Sequence, residues 1–300
     1  MNSAKVHLNS PLRLILTGEC NGSCHFCHHE GNYATYQEMS SQILDDCIRA
    51  AGKLGIGRIN LTGGEPTLRE DLSVIICKIK QELPKVELSL TTNGFCLDTL
   101  TSTAFQLLDK INLSLISFKE SIYHKYQGVN PEEPLSLLQK YSNKTTINIV
   151  IVDDNKADIL STIAECLKRN FSVDVMFELF SNDIQVQREV LGMLTNEYGI
   201  FNICYASTPV MISCNNPSVK LRVKVPGISQ ILSRQICADC PHFSLCPEKV
   251  CGLRVYPNSM VSPCLNGYII SGKNTVKEKI EDIYPKLTIN KNDIYSFFIH

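Results

Sequence analysis

The sequence carries no excess of either charge, no long apolar run, and no internal repeat or low-complexity stretch. Its 29 Lys and Arg residues nearly balance 30 Asp and Glu, for a net charge of −1, and the basic residues form no block. The electrostatic footprint of a protein that neutralises many nucleic-acid phosphates is therefore missing, which excludes bulk nucleic acid as a partner. No apolar stretch approaches the roughly 20 residues of a membrane-spanning helix. The opening MNSAKVHLNSPLRLILTGEC has an apolar run too short for a secretory signal. The expectation is a cytoplasmic protein with no membrane partner.

What is present is a folding composition, with 44% hydrophobic and 20% charged residues over 300 positions. That length suits one large barrel with an appendage, or two domains. Short β-branched or apolar runs recur at Leu12 to Thr17, Arg58 to Thr62, Val86 to Thr92, Ile111 to Leu115, Thr146 to Val152 and Val173 to Leu179. Between them, segments such as Ser41 to Leu54, Leu72 to Leu83, Leu97 to Leu108 and Ala157 to Arg169 place apolar residues at the three-to-four spacing of helices that pack one face on a sheet. Six strand-helix alternations predict an α/β fold with a parallel sheet, as a barrel or a doubly wound sheet, and barrels carry their chemistry at the C-terminal strand ends. After about Ile200 the rhythm gives way to short strand-like pieces, Pro209 to Cys214 and Val219 to Val225, and then a cysteine-rich stretch. The expected division is 1–199 and 200–300.

Fourteen cysteines without an export signal point to metal binding or redox chemistry rather than a disulfide framework. Cys47, Cys77, Cys96, Cys166, Cys204 and Cys214 are scattered singly and read as small core hydrophobes. Cys20, Cys24 and Cys27 directly follow the first strand, converging on a loop at the expected barrel mouth. Three ligands leave a metal position open, whereas a structural zinc or a closed cluster wants four. His25, His28 and His29 could complete a zinc site, so spacing alone leaves iron-sulfur, zinc and no metal all open.

Cys-x3-Cys-x2-Cys with Phe26 just before the third Cys resembles the radical S-adenosylmethionine (SAM) superfamily. Gly63-Gly64-Glu65-Pro66 after the second strand looks like that superfamily's GGEP element, and Thr91-Thr92-Asn93-Gly94 and Ser114 match further positions near SAM. A Gly-Gly-Glu-Pro turn alone is weak, since Gly and Pro mark turns anywhere; its place after strand two, behind three cysteines after strand one, gives it weight. The resemblance implies a partial (β/α)6 TIM-type barrel. It also implies a 4Fe-4S cluster on Cys20, Cys24 and Cys27, and SAM held near Gly63, Gly64, Glu65, Pro66, Thr92, Asn93, Ser114 and Glu178. The one-electron reductant would be a protein such as flavodoxin or ferredoxin. Within the superfamily, residues 11–180 are most similar to the molybdenum-cofactor GTP 3',8-cyclase, through Leu12-Arg13-Leu14, Cys27-His28-His29-Glu30-Gly31, the run Leu61 to Asp71, and Glu178-Leu179.

Cys237, Cys240, Cys246, Cys251 and Cys264 supply five further thiols in 28 residues. They suffice for one auxiliary cluster with a spare, or for a zinc ribbon. The stretch Gly252 to Cys264 resembles the hairpin before the last auxiliary-cluster cysteine of the cyclase and of SPASM and Twitch enzymes, which implies a second 4Fe-4S cluster. Arg13, Arg58 and Arg254 fall at or beside the family's substrate-binding cations, but Asn60, Asp153, Val175 and Gly252 stand where it tends to carry basic residues. Each such contact to a triphosphate is worth about 1.5–3 kcal/mol. Ile116 replaces a family Asp, the last residues are Ser296 to His300 rather than a Gly-Gly tail, and five auxiliary cysteines stand in place of three. The sequence therefore predicts a cyclase-like enzyme acting on another small molecule or a peptide by cyclisation, epimerisation or crosslinking. The alternatives are the GTP cyclase itself and a non-enzymatic zinc protein.

Overall fold

The computed structural model describes residues 5–6, 11–24, 26–27, 37–126, 130–178, 184–199, 201–204, 211–216, 218–224, 252–264, 275–287 and 289–290. A short strand β1 (Lys5–Val6) pairs antiparallel with β13 (Ile289–Asn290). Six parallel strands then form the centre of an eleven-stranded sheet: β2 (Leu12–Ile15), β3 (Arg58–Thr62), β4 (Glu87–Thr92), β5 (Lys110–Ser114), β6 (Thr145–Ile151) and β7 (Ser172–Phe177). All six predicted strands are present, each within two residues of its expected bounds. Between them run α1 (Ser41–Leu54), α2 (Leu72–Glu82), α3 (Ser102–Leu107), α4 (Glu120–Tyr126), α5 (Glu132–Leu138) and α6 (Ile159–Lys168). The strand at 172–177 is followed by α7 (Ile184–Tyr198).

Residues beyond 200 extend this same sheet at both edges. On one side β10 (Leu221–Lys224) pairs parallel with β7, and β9 (Met211–Cys214) and β8 (Phe201–Cys204) continue antiparallel. On the other, β11 (Leu253–Val255) lies parallel to β2, with β12 (Val261–Ser262) antiparallel outside it. The order is β12-β11-β2-β3-β4-β5-β6-β7-β10-β9-β8, and among the described residues the outer strands do not pair with each other, so the barrel stays open. The fold is mixed α/β on a mostly parallel sheet.

Alternation along the strands sorts their side chains onto two faces. Leu12, Leu14, Ile59, Leu61, Leu88, Leu90, Ile111, Leu113, Ile147, Ile149, Val173, Val175, Leu253 and Val255 are buried in one core with the apolar stripes of the helices. From α1 that stripe is Ile43, Leu44, Cys47, Ile48 and Ala51. The other face is polar: Asn60 donates to Ser89 Oγ (2.8 Å) and Thr91 Oγ1 (3.2 Å), and Asn112 donates to Thr91 Oγ1 (3.4 Å). A parallel sheet buried on both sides would read as continuous apolar runs; these alternating polar positions mark the inside of an open barrel. Helix α8 (Val276–Ile283) begins with a capping box on Thr275 and Glu278 and reaches α1 through Lys53 Nζ to Glu281 Oε2 at 2.7 Å. No described helix is long and apolar enough to cross a membrane.

Candidate active site

The three cysteines of the first cluster lie on the loop that leaves the C-terminal end of β2. The neck of that loop is closed by main-chain bonds from Met39 N to Leu16 O (2.7 Å) and Gly18 N to Gln37 O (3.1 Å). The GGEP turn, leaving β3 alongside, docks on its stem: Gly64 N donates to Thr17 O (2.8 Å) and Glu65 N to Glu19 O (2.7 Å). This approach is why the turn needs paired glycines. A Cβ at Gly63 would stand 2.6 Å from Thr17 O, and one at Gly64 2.0 Å from Glu19 O. The second half of the loop rests on α4, where the Cys24 thiol donates to Tyr126 O at 3.0 Å and the Phe26 ring lies 5.8 Å from that of Tyr126.

Sequence reading placed Glu65 and Thr92 beside SAM, but the structure buries both side chains and occupies them internally. Glu65, 1% exposed, accepts from Thr67 N (3.0 Å), Thr67 Oγ1 (2.7 Å) and Thr92 Oγ1 (2.6 Å) on Oε1, and from Asn93 N (2.7 Å) on Oε2. Thr92 Oγ1 in turn accepts from Gly94 N at 2.9 Å. Burial pushes the Glu65 carboxyl above its ordinary range, and the bonds from Asn93, Thr92 and Thr67 oppose that shift. Gly94 follows with φ +90°, and a Cβ there would meet Pro134 Cβ at 2.6 Å, so the turn after β4 admits only glycine.

Asn93 is half-buried at the loop itself, with Nδ2 donating to Asn21 Oδ1 at 2.8 Å. Ser114 ends β5 in register with Asn148, and Glu178 follows β7; both are half-buried. Arg254, 2% exposed, and Arg13 are register partners on adjacent strands. Arg58 does not belong with them. It opens β3 at the strand end away from the cysteine loop, about 13 Å along a strand rising ~3.3 Å per residue, and its Nε faces Glu87 at 3.4 Å. Val175 points into the hydrophobic core, so its neighbours Asp174 and Met176 occupy the polar face, and Asp174 there takes a two-pronged contact from Arg222, with Nε at 2.7 Å.

Cys47, Cys166 and Cys214 are buried as expected, but Cys77 and Cys96 are only half-buried, and Cys96 sits beside the cysteine loop, 4.0 Å from Asn21 Nδ2. A core-hydrophobe reading fails for Cys96, whose thiol instead accepts from the Asn21 amide. Cys204's side chain, and Cys237, Cys240, Cys246 and Cys251, fall outside the described residues. Cys264 follows β12 and is half-buried, its N–H on Ser262 Oγ at 3.2 Å. Sequence reading missed Asn21 and Thr67; both lie inside the motifs it used, but nothing in the residue types announced their bonds.

The residues present suit a thiolate-bound cluster. Cys20 Sγ and Cys24 Sγ lie 3.6 and 3.9 Å from one point, the Cβ direction of Gly22. Burial, then the neighbouring thiols of Cys27 and Cys20, push Cys24 up to about 11, and burial also raises Cys20. Burial and the repulsion between neighbouring thiolates thus disfavour the charged forms of Cys20 and Cys24, whereas a coordinated metal deprotonates its thiol ligands outright.

A parallel, open α/β barrel with a three-thiol loop at the C-terminal end of its first barrel strand defines a class of cofactor-dependent barrel proteins. The Radical SAM superfamily model matches residues 14–166, and the chain belongs to that superfamily, which implies a 4Fe-4S cluster and SAM. Among curated relatives, a "Probable GTP 3',8-cyclase" of Thermococcus kodakarensis is 37% identical over 147 residues, 47% of each chain. One of Thermoplasma volcanium is 31% identical over 176 residues, 56% of this chain and 53% of that one. The matches thus span about half the length of these relatives. Among solved structures, Streptococcus suis SuiB bound to precursor peptide SuiA superposes with a TM-score of 0.63 at 16% identity, covering 92% of this chain and 65% of that one. The protein anSMEcpe with bound AdoMet gives 0.59 at 16%, covering 95% and 80%. At such identities these two establish the fold alone.

Proposed function

We propose that the protein is a radical SAM enzyme that modifies a small molecule other than GTP, or a peptide, by cyclisation, epimerisation or crosslinking. The observation that carries this reading is the docking of the GGEP turn on the stem of the three-cysteine loop, which brings the motifs after three successive strands to one barrel mouth. When bound and reduced by one electron, a 4Fe-4S cluster with SAM supplies a 5'-deoxyadenosyl radical, which removes a substrate hydrogen. Cys20, Cys24 and Cys27 would hold that cluster, leaving one position open for SAM. The main chain at Gly63, Gly64 and Pro66, with Asn93, Ser114 and Glu178, would border SAM, and Glu65 and Thr92 hold this rim in place from behind. The polar barrel face, with Arg13 and Arg254 side by side, would orient a substrate carrying acceptor groups, and the walls exclude water and competing hydrogen donors.

A second 4Fe-4S cluster on four of Cys237, Cys240, Cys246, Cys251 and Cys264 is part of this proposal. Its support is the five-thiol spacing and the edge hairpin β11-β12, anchored by Tyr256 on Ile15, which delivers Cys264 beside the barrel. Five thiols permit full thiolate ligation, which favours accepting an electron from the product radical over binding substrate. The electron donor would be a flavodoxin or ferredoxin class protein.

The cyclase relatives favour a second reading, GTP 3',8-cyclisation. Against it stand Asn60, which is buried and bonded to Ser89 and Thr91, and Arg58, which lies at the far strand end. Anaerobic reconstitution followed by SAM and dithionite tests the enzyme reading: 5'-deoxyadenosine is expected, and its absence overturns both readings. Addition of GTP separates them, since stimulation with a cyclised nucleotide would establish the cyclase. Replacing Cys20, Cys24 and Cys27 together by Ala is expected to remove about four irons per chain.

A further inference from the structure

We infer that Glu65 is a positioning residue that fixes Cys20 from both sides, with Asn21 as the outer end of its relay; the inference rests on the proposed ligand role of Cys20. On the N-terminal side of Cys20, the Glu65 main-chain N–H donates to Glu19 O at 2.7 Å. On the C-terminal side, Glu65 Oε2 accepts from Asn93 N (2.7 Å), and Asn93 Nδ2 donates to Asn21 Oδ1 (2.8 Å). Both residues flanking the first cysteine are thus tied to one buried acid. Asn93 cannot swing away, because its Oδ1 accepts from Phe95 N at 3.1 Å while its own N–H is held by Glu65. The Asn21 amide is engaged at its other end too, with Nδ2 4.0 Å from Cys96 Sγ.

The chemistry of the acid follows from its donors. Two of them, Thr67 N and Asn93 N, are main-chain N–H groups that can only donate, and they address different oxygens of Glu65. A carboxylate satisfies both. A glutamine cannot, since either orientation of its amide sets an NH2 against one of these N–H groups. Glu65 therefore acts on the loop through acceptor geometry, with its side chain closed off from any ligand. Cys24 and Cys27 are held differently, by Tyr126 and by the Cys27 N to Cys24 O bond of 3.1 Å, so the relay is specific to Cys20.

The decisive variants are Asn21→Ala and Asn21→Asp. Asn21 is exposed, so both are expected to keep the wild-type melting temperature. In metal-free protein, hydrogen exchange of the amides of residues 20–22 should accelerate in Asn21→Ala and stay near wild type in Asn21→Asp, whose carboxylate still accepts from Asn93 Nδ2. In reconstituted protein, Asn21→Ala should release iron to a chelator about 10-fold faster, the cost typical of losing an outer-shell partner, and should alter the electron paramagnetic resonance signal of the reduced cluster. Asn21→Asp should restore retention. Glu65→Gln should repeat the Asn21→Ala exchange and release behaviour. Unchanged exchange in metal-free Asn21→Ala, or equal loss in Ala and Asp variants, overturns the relay. If the triple cysteine variant keeps its iron, the ligand reading fails, and the metal-free exchange arm alone decides the relay.

Discussion

Gly64→Ala probes the junction on which the site depends. A Cβ at this position would stand 2.0 Å from Glu19 O, 2.5 Å from Glu19 C and 2.9 Å from Gly18 O, all main-chain atoms that no rotamer change can move. Relief to a contact of about 3.5 Å requires the turn and the loop stem to part by more than ~1 Å. That separation breaks the bonds from Gly64 N to Thr17 O and from Glu65 N to Glu19 O. Two hydrogen bonds at about 1 kcal/mol each, with residual overpacking of about 1–3 kcal/mol, give a loss near 4 kcal/mol. At about 2.1 cal/mol/K per residue, a chain of 300 residues shifts its midpoint by roughly 1.6 °C per kcal/mol, so metal-free Gly64→Ala should melt about 6 °C below wild type. Circular dichroism melting measures this, with Gly192→Ala as control. Gly192 lies in α7 with open space around its Cβ direction, and alanine there should add about 0.5–1 kcal/mol. A Gly64→Ala midpoint within about 2 °C of wild type would refute the docking of the turn on the stem.

Other perturbations test the surrounding frame. Arg69, 6% exposed, donates from Nη1 to Leu16 O (2.9 Å) and Met39 O (2.8 Å) and grips both oxygens of Asp71. Its replacement by Ala should cost about 3 kcal/mol in chemical denaturation, and Lys, lacking the planar fork, should restore less than half. The hydrogen bonds from Arg69 hold the Asp71 carboxyl below its ordinary range. The increment is therefore present above the unfolded carboxyl pKa of about 3.9 and fades as pH falls through the lowered value. The stability gap between wild type and Asp71→Asn should be small, because Asp71 is half exposed, and should close under acid; a gap that widens below pH ~4 would contradict it. Asn155, 1% exposed, accepts from Val152 N and donates to Ile116 O (3.0 Å) and Val150 O (2.8 Å). Asn155→Asp turns a donor into an acceptor facing two carbonyls and should destabilise by about 3 kcal/mol, more than Asn155→Ser, as read in urea unfolding.

The alternation of apolar runs and helical spacing was sufficient to locate the six central strands, because period-two and period-3.6 patterns are local properties of the chain. The cysteine triplet and the GGEP turn were legible for the same reason, as residue types at fixed spacing. Their partners were not. Whether Glu65 meets a ligand or closes on Thr67, Thr92 and Asn93 depends on how far β4 stands from β3, which no spacing within either motif encodes. Arg58 and Arg13 are both arginines on early strands, yet register puts Arg13 beside Arg254 and leaves Arg58 at the far end with Glu87. By itself the sequence determined the six central strands, the helices at 41–54, 72–82, 102–107 and 159–168, and the three-thiol loop. Tertiary structure alone decided that residues beyond 200 extend both edges of one sheet, that Val175 faces the core, and that Asn21 is tied through Asn93 to Glu65. Each of those outcomes turns on strand register and on contacts between segments tens of residues apart, and these form only when the sheet assembles.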